Sequence, residues 1–248
     1  MSTAELAGTT AVVTGASRGF GRGIATALVA AGAQVVGVAR DAVPLKELES
    51  QLGKGFIPVA GDATDPGLAT ELIGRYRPRT LVLGAGAIPM MGPVHTHTWE
   101  TFSRNWEVDA RQAFEWTVAA LRAPLAPGSV VVAISSGAAV RGSAASGGYA
   151  GAKATVRFIS AYAAEESERA SLDIRFVALL PQLTPTTELG RAGVAGYAMR
   201  RGADPEQAIA EFGPALTPEQ VGAAVLDVAG PNGPGGAHLV TPEGIRPI

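Results

Sequence analysis

Thr14-Gly15-Ala16-Ser17-Arg18-Gly19-Phe20-Gly21 is the stretch on which the reading of this chain turns. It follows a short apolar run, Ala11–Val13, and leads into Gly21–Ala31, which has helical periodicity; a second β-branched run, Gln34–Ala39, comes next. A strand entering a glycine-rich turn, then a helix, then another strand is the opening unit of a parallel sheet. Glycines let the backbone turn sharply and approach a pyrophosphate. The helix N-terminus presents unpaired N–H groups and a positive dipole end to that anion. An ordinary glycine-rich turn looks the same in isolation, and it is the position at the first strand and first helix that points to a dinucleotide held by Gly15, Ser17, Arg18, Gly19, Phe20 and Gly21.

Working outward, strands are expected at Phe56–Ala60, Leu81–Leu83, Val130–Ser135, Ile174–Leu179 and His238–Val240, and helices at Leu45–Gln51, Pro66–Tyr76, Trp99–Leu121, Tyr149–Ser167 and Pro218–Val228. Such alternation predicts a doubly wound α/β fold, a Rossmann-like parallel sheet of about seven strands with helices on both faces. No internal repeat or domain linker interrupts it, so residues 1–248 read as a single domain. The Gly-, Pro- and Thr-rich stretch Pro181–Pro214 breaks the alternation after the sixth strand, where such sheets open toward ligand, and is expected to form a mobile lid over about residues 183–214.

Composition narrows the chemistry. The 248 residues are 47% hydrophobic and 17% charged, with no Cys, which excludes a disulfide framework, a thiol nucleophile and Cys-ligated metal. A net charge of −2 gives no electrostatic footprint for nucleic acid or an anionic membrane. MSTAELAGTT lacks the basic region and apolar core of a signal peptide, predicting a cytoplasmic chain whose mature form starts here. His95 and His97, with His238 far off, have no acidic companion at ligand spacing and are read as loop or pocket-rim residues, so no metal is expected.

The second strand ends Val38-Ala39-Arg40. An acidic residue at this point would hold a ribose 2′-hydroxyl, whereas arginine suits a 2′-phosphate. Arg40 with Arg18 therefore favours NADP(H) over NAD(H), by charge-assisted hydrogen bonds from two guanidiniums. The competing reading leaves both arginines in solvent and gives the ribose to Asp41. Asp62 and Ala63, after the third strand, fall at the adenine end, where Asp62 either meets the adenine edge or caps the next helix.

Ser135-Ser136 end the fifth strand, and Tyr149 and Lys153 begin the next helix four residues apart, on one face. A phenol near pKa 10 exchanges protons poorly at neutral pH, and an adjacent ammonium is expected to pull that pKa down. Tyr149 can then exchange a proton with a substrate oxygen that Ser136 holds.

With these residues in order behind the glycine loop, the chain resembles the short-chain dehydrogenase/reductase superfamily over essentially its whole length. The family's T-G-x-x-x-G-x-G matches Thr14 to Gly21, and its serine-to-tyrosine spacing selects Ser136 over Ser135. The resemblance implies Tyr149 as acid/base, Ser136 as orienter of the carbonyl, and Lys153 as the residue that binds the nicotinamide ribose and lowers the tyrosine pKa. Gly84, Ala85 and Gly86 stand where members carry N-A-G, and Pro181 to Thr186 resembles P-G-x-x-x-T, implying cofactor contacts from Pro181, Thr184 and Thr186, with Gln182 in place of the glycine. The family's catalytic asparagine is replaced by Asp109, a carboxylate expected to stabilise the Lys153 ammonium, partly cancel its field at Tyr149 and alter the pH profile. Members commonly form dimers or tetramers through two long helices, here Trp99–Leu121 and Tyr149–Ser167, so a homodimer or homotetramer is expected.

The expected activity is NADPH-dependent interconversion of a carbonyl and an alcohol on a small molecule. The alternatives are a scaffold diverted to dehydration, isomerisation or epimerisation, with Asp109 as an additional acid/base, and an NADP(H)-sensing protein with little turnover.

Overall fold

In this computed structural model, residues 6–248 are described, and Met1–Glu5, where the mature start was expected, lie outside them. The chain runs β1 Thr10–Thr14, α1 Gly19–Ala30, β2 Gln34–Ala39, α2 Ala42–Leu52, β3 Phe56–Ala60, α3 Pro66–Tyr76, β4 Thr80–Leu83 and α4 Trp99–Asn105. A π-helical turn, Trp106–Ala110, joins α4 to α5 Arg111–Arg122. Then come β5 Val130–Ile134, α6 Ala138–Arg141, α7 Tyr149–Arg169, β6 Arg175–Pro181, α8 Glu188–Arg200, α9 Pro205–Ala210, α10 Pro218–Ala229, β7 Gly236–Thr241 and β8 Gly244–Pro247.

All eight strands form one sheet in the order β3-β2-β1-β4-β5-β6-β7-β8, parallel through β7 and antiparallel at β8. Alternate strand residues face opposite layers. Val13, Val35, Val82, Val132 and Val177 pack against Ile24 and Leu28 of α1, Leu45 and Leu48 of α2, and Val221, Val225 and Val228 of α10. Val12, Val36, Leu81, Val131 and Phe176 pack against Leu72 of α3, Trp116 of α5 and Val156 of α7. Burial on both faces explains why these strands read as continuous apolar runs.

Three features differ from the expected layout. The eighth strand extends the seven anticipated: the chain turns at Pro242-Glu243-Gly244 and pairs back on β7, with Val240 opposite Ile245. The expected helix Trp99–Leu121 is broken by the π turn. The lid stretch contains two helices, started by side-chain caps from Thr187 and Asp204, with Pro205 at the first position of α9.

The sheet order reverses between β2-β1 and β4-β5, and the crevice beyond the strands' C-terminal ends at that point is where open α/β sheets receive ligand. Among the described residues no helix is long and apolar enough to cross a membrane.

Candidate active site

A cleft of about 1370 Å³ occupies that crevice. Every residue expected at the site lines it except Asp109. At one end are the β1–α1 loop, the end of β2, and Asp62 and Ala63; in the middle are Gly84, Ala85 and Gly86 after β4; at the other end are Ser136, Tyr149, Lys153 and the start of the lid.

The loop is built for close approach. Gly15 has φ +74, and a Cβ there would stand 2.8 Å from the Ala85 backbone, so β1 and β4 meet at the cleft floor only because this position has no side chain. Helix α1 starts without a side-chain cap and has no acid in its first turn, whereas α2, α3, α8 and α10 are capped by Asp41, Asp65, Thr187 and Thr217. Its N-terminal N–H groups are thus left for a ligand in the cleft, an arrangement that fits a pyrophosphate.

Thr14, one residue before the turn, joins three elements. Its hydroxyl donates to Gln112 Oε1 on α5 at 2.9 Å and accepts from the backbone N–H of Gly84 at 3.0 Å and Ala85 at 3.2 Å. This braces the Gly84–Gly86 turn, where the family side chain is missing. Thr14→Val leaves those N–H groups without their acceptor and is expected to cost about 1–3 kcal/mol, read as a lower urea midpoint. An unchanged midpoint would show that the turn is held by other means.

At the adenine end, Arg40 is exposed at the cleft wall. Asp41 is engaged as the cap of α2, accepting from Val43 N at 2.9 Å, which weakens its claim on a ribose. Asp62 does not cap α3, a role taken by Asp65; it accepts from Thr64 N and Oγ1, both at 2.9 Å, and these bonds hold its carboxyl below the usual range, with Arg40 adding to the shift. Arg18 pairs with Glu188 in the first turn of α8, across the cleft mouth, and both side chains are largely exposed.

At the far end, Ser135 is buried and donates to the Lys153 carbonyl at 2.7 Å, tying β5 to α7, whereas the Ser136 hydroxyl faces the cleft and accepts from Ala138 N at 3.2 Å. Tyr149 is half-buried beside it, with the Lys153 ammonium 5.8 Å from its ring centroid. Lys153 is buried; its ammonium donates to Ile134 O at 3.0 Å and pairs with Asp109 Oδ2 at 3.1 Å. One of its three protons is thereby held by a carbonyl and its charge is balanced by the carboxylate, leaving N–H capacity for the cleft.

Asp109 has no exposure to solvent and sits behind Gly86, where a Cβ would come within 3.0 Å of Oδ2. Its Oδ1 accepts from Ala87 N at 2.9 Å and from Asn105 Nδ2 at 3.3 Å, and Asn105 also donates to Ala87 O at 2.7 Å. The π turn delivers this carboxylate inward. This carboxylate does not line the cleft and faces Lys153 from behind it. Asn105 escaped the sequence reading, although its position one helical turn before Asp109 was visible.

The electrostatics correct one expectation. Burial pushes the Tyr149 phenol above its ordinary pKa, and the Asp109 charge adds to the rise; Lys153 and Ser136 pull the other way without prevailing. Lys153 itself is raised, because Asp109 and Tyr149 together outweigh its burial.

At the base of the lid, Thr184 and Thr186 both donate to Leu216 O, at 2.8 and 2.7 Å, so these hydroxyls hold the lid to the chain before α10 as well as lining the cleft. Tyr197 of α8 hydrogen-bonds Ser143, linking the lid to the loop after α6. Met91 lines the cleft while Met90 is exposed, and His97 is occupied by Thr101 and Gly92.

A doubly wound sheet with an uncapped helix terminus and a hydroxyl, phenol and ammonium in one switch-point cleft defines a Rossmann-type α/β protein. The chain belongs to the short-chain dehydrogenase family: the family described as short chain dehydrogenase matches residues 9–196. It is 34% identical over 129 residues to human (Homo sapiens) L-xylulose reductase, covering 51% of this chain and 52% of that protein. It is also 34% identical over 130 residues to carbonyl reductase [NADPH] 2 of Sus scrofa, covering 51% and 53%. The chain thus aligns with about half the length of these curated relatives. The crystal structure of 3-ketoacyl-(acyl-carrier-protein) reductase from Brucella melitensis, complexed with NADH, superposes with a TM-score of 0.75 at 23% identity, covering 95% of this chain and 97% of that one.

Proposed function

We propose that this protein is an NADPH-dependent carbonyl reductase, acting reversibly on a small-molecule carbonyl or alcohol. The observation that carries the reading is the gathering of Ser136, Tyr149 and Lys153 at one end of a cleft whose other end is the uncapped terminus of α1. The similarity to L-xylulose and carbonyl reductases supports it.

Gly15, Ser17, Gly19, Phe20 and Gly21 would hold the pyrophosphate, Gly84 to Gly86 the middle of the cofactor, and Pro181, Thr184 and Thr186 the nicotinamide end. Bound reduced nicotinamide supplies the hydride. Ser136 donates a hydrogen bond to the substrate oxygen and fixes the carbonyl. Tyr149, neutral at physiological pH as any phenol is and pushed further up by burial, gives that oxygen its proton. Lys153 spends its remaining N–H on the nicotinamide ribose.

Preference for NADPH rests on Arg40 with Arg18. Arg40→Ala is expected to lower the NADPH-to-NADH ratio of kcat/KM by about 10–100-fold, the loss of a charge-assisted phosphate contact. An unchanged ratio would put the 2′-phosphate elsewhere. The reductase reading itself is tested by following NADPH consumption over a panel of aldehydes, ketones, diketones and quinones beside Tyr149→Phe; NADPH binding without consumption of any carbonyl would overturn it.

The same reading takes the chain as a homodimer or homotetramer. Phe114 of α5, with Phe158 and Tyr162 of α7, leaves an aromatic face exposed, as does Trp99 of α4. Sedimentation velocity would test it.

A further inference from the structure

Four cations line the cleft: Arg18, Arg40, Arg141 and Lys153. Lys153 is paired with Asp109 and Arg18 with Glu188, while Arg40 stands at the adenine end after β2. Arg141 is different. It closes α6, the short helix that starts two residues beyond Ser136, and among the described residues its guanidinium has no ion-pair or hydrogen-bond partner. Gly142, with φ +74, then reverses the chain, so that Arg141 and Ser143 both border the same space. Ser143 shares a hydrogen bond with Tyr197 from α8, and in a pair of hydroxyls one proton is used between the two and the other is free for a third group.

Apolar side chains also line the cleft: Ile88 and Pro89, with Met91 and Leu183 packed against α8 at Gly196 and Gly193. Arg141 is exposed at the cleft surface, and an unpaired guanidinium that lines the same cleft as a hydroxyl pair and these apolar side chains can receive a planar anion, because the fork of N–H groups matches the two oxygens of a carboxylate. Arg141 follows Ser136 by five positions, the last four of them in α6, a backbone rise of about 7 Å, so the anion would sit several bonds from the carbonyl that Ser136 holds.

We propose that the substrate of this cleft carries a carboxylate, bound by Arg141 with the Ser143–Tyr197 hydroxyl pair, while its carbonyl faces Ser136 and Tyr149. The favoured substrates are then oxo acids with the carbonyl a few carbons from the acid, and the carboxylate is a handle that the reaction leaves unchanged. This substrate class rests on the carbonyl-reductase reading of the same site.

The test pairs 4-oxopentanoate with its methyl ester, which has the same carbonyl without the charge. In the turnover arm, kcat/KM with NADPH is measured for both in the wild type, Arg141→Gln and Arg141→Lys. The expected result is an acid-to-ester ratio well above one in the wild type that falls about 10–100-fold in Arg141→Gln and recovers in part in Arg141→Lys. In the binding arm, the acid and the ester are titrated calorimetrically into Tyr149→Phe protein with and without NADPH, so that affinity is read without chemistry. Acid-selective binding that Arg141→Gln abolishes, with no carbonyl turned over by the wild type, would leave the anion site standing and overturn the reductase reading. Equal treatment of acid and ester in both arms, or a ratio indifferent to Arg141, would overturn the anion site while leaving reduction of the ester as support for the reductase.

Discussion

Replacing Tyr149 with phenylalanine is expected to lower kcat for carbonyl reduction by about 10²–10⁴-fold, the usual worth of a positioned proton donor. NADPH affinity should change far less, because the ring stays to pack at the cleft wall and only the hydroxyl is lost. The direction of the Tyr149 shift adds a second signature. Since burial holds the phenol protonated well into the alkaline range, reduction, which needs the proton, should run undiminished through neutral pH and fall only at high pH. Alcohol oxidation, which needs the phenolate, should rise over that same alkaline interval. Single-turnover rates in both directions as a function of pH would measure this. A Tyr149→Phe enzyme that kept more than about a tenth of the wild-type rate would remove the phenol from proton transfer.

Asp109→Ala should produce the largest loss of stability, about 3–5 kcal/mol by chemical denaturation, because it strips a buried ammonium of its counter-charge. It also deprives Ala87 N of its acceptor. Asp109→Asn is expected to cost less, since an amide oxygen can still accept from Ala87 N. Its informative effect is on titration: the Asp109 charge raises Tyr149, so its removal should move the oxidation limb to lower pH. The linkage has a definite sign. Tyr149 and Lys153 both bind their protons more tightly in the folded protein than at their ordinary values of 10.0 and 10.5. Their contribution is therefore fully present at neutral pH and lost as pH rises above about 10 toward the raised folded values. In Asp109→Asn the folded values move back toward the ordinary ones, so that alkaline loss should be smaller and complete at lower pH. A Asp109→Ala protein within about 1 kcal/mol of the wild type would mean that Lys153 finds another partner or sheds its charge.

The parts of this molecule legible in the sequence are those set by short spacings. Strand, glycine turn and helix are contiguous from Thr10 to Ala30, and Tyr149 and Lys153 share a face because a helix repeats every 3.6 residues. Asp109 was visible as a departure, and its contact with Lys153 follows from two helices packed side by side. Partnerships across the fold were not legible. The pairing of Arg18 with Glu188 joins residues 170 positions apart, and nothing in either local pattern announces the other. Arg141 and Ser143 occupy a stretch without periodicity and gain meaning only when the fold sets both on the cleft and α8 brings Tyr197 against Ser143. The Tyr149 shift was misjudged because the ammonium is evident from spacing, whereas burial, the larger influence, is a property of the folded whole. The two lid helices were hidden by a high content of Gly, Pro and Thr, residues that here act as helix caps and first-turn positions.

The order of the strands also bears on how the protein meets copies of itself. A sheet presents unpaired backbone groups along its two outermost strands, and those rows invite another chain to add on. At one margin lies β3, whose central Pro58 has no N–H to offer; at the other lies β8, only four residues long and ending Arg246-Pro247. Both margins are blunted against lateral growth of the sheet into larger aggregates. A homo-oligomer of the kind proposed above would then form through the helical flanks, where contact is made by side chains and can close at a defined number of subunits.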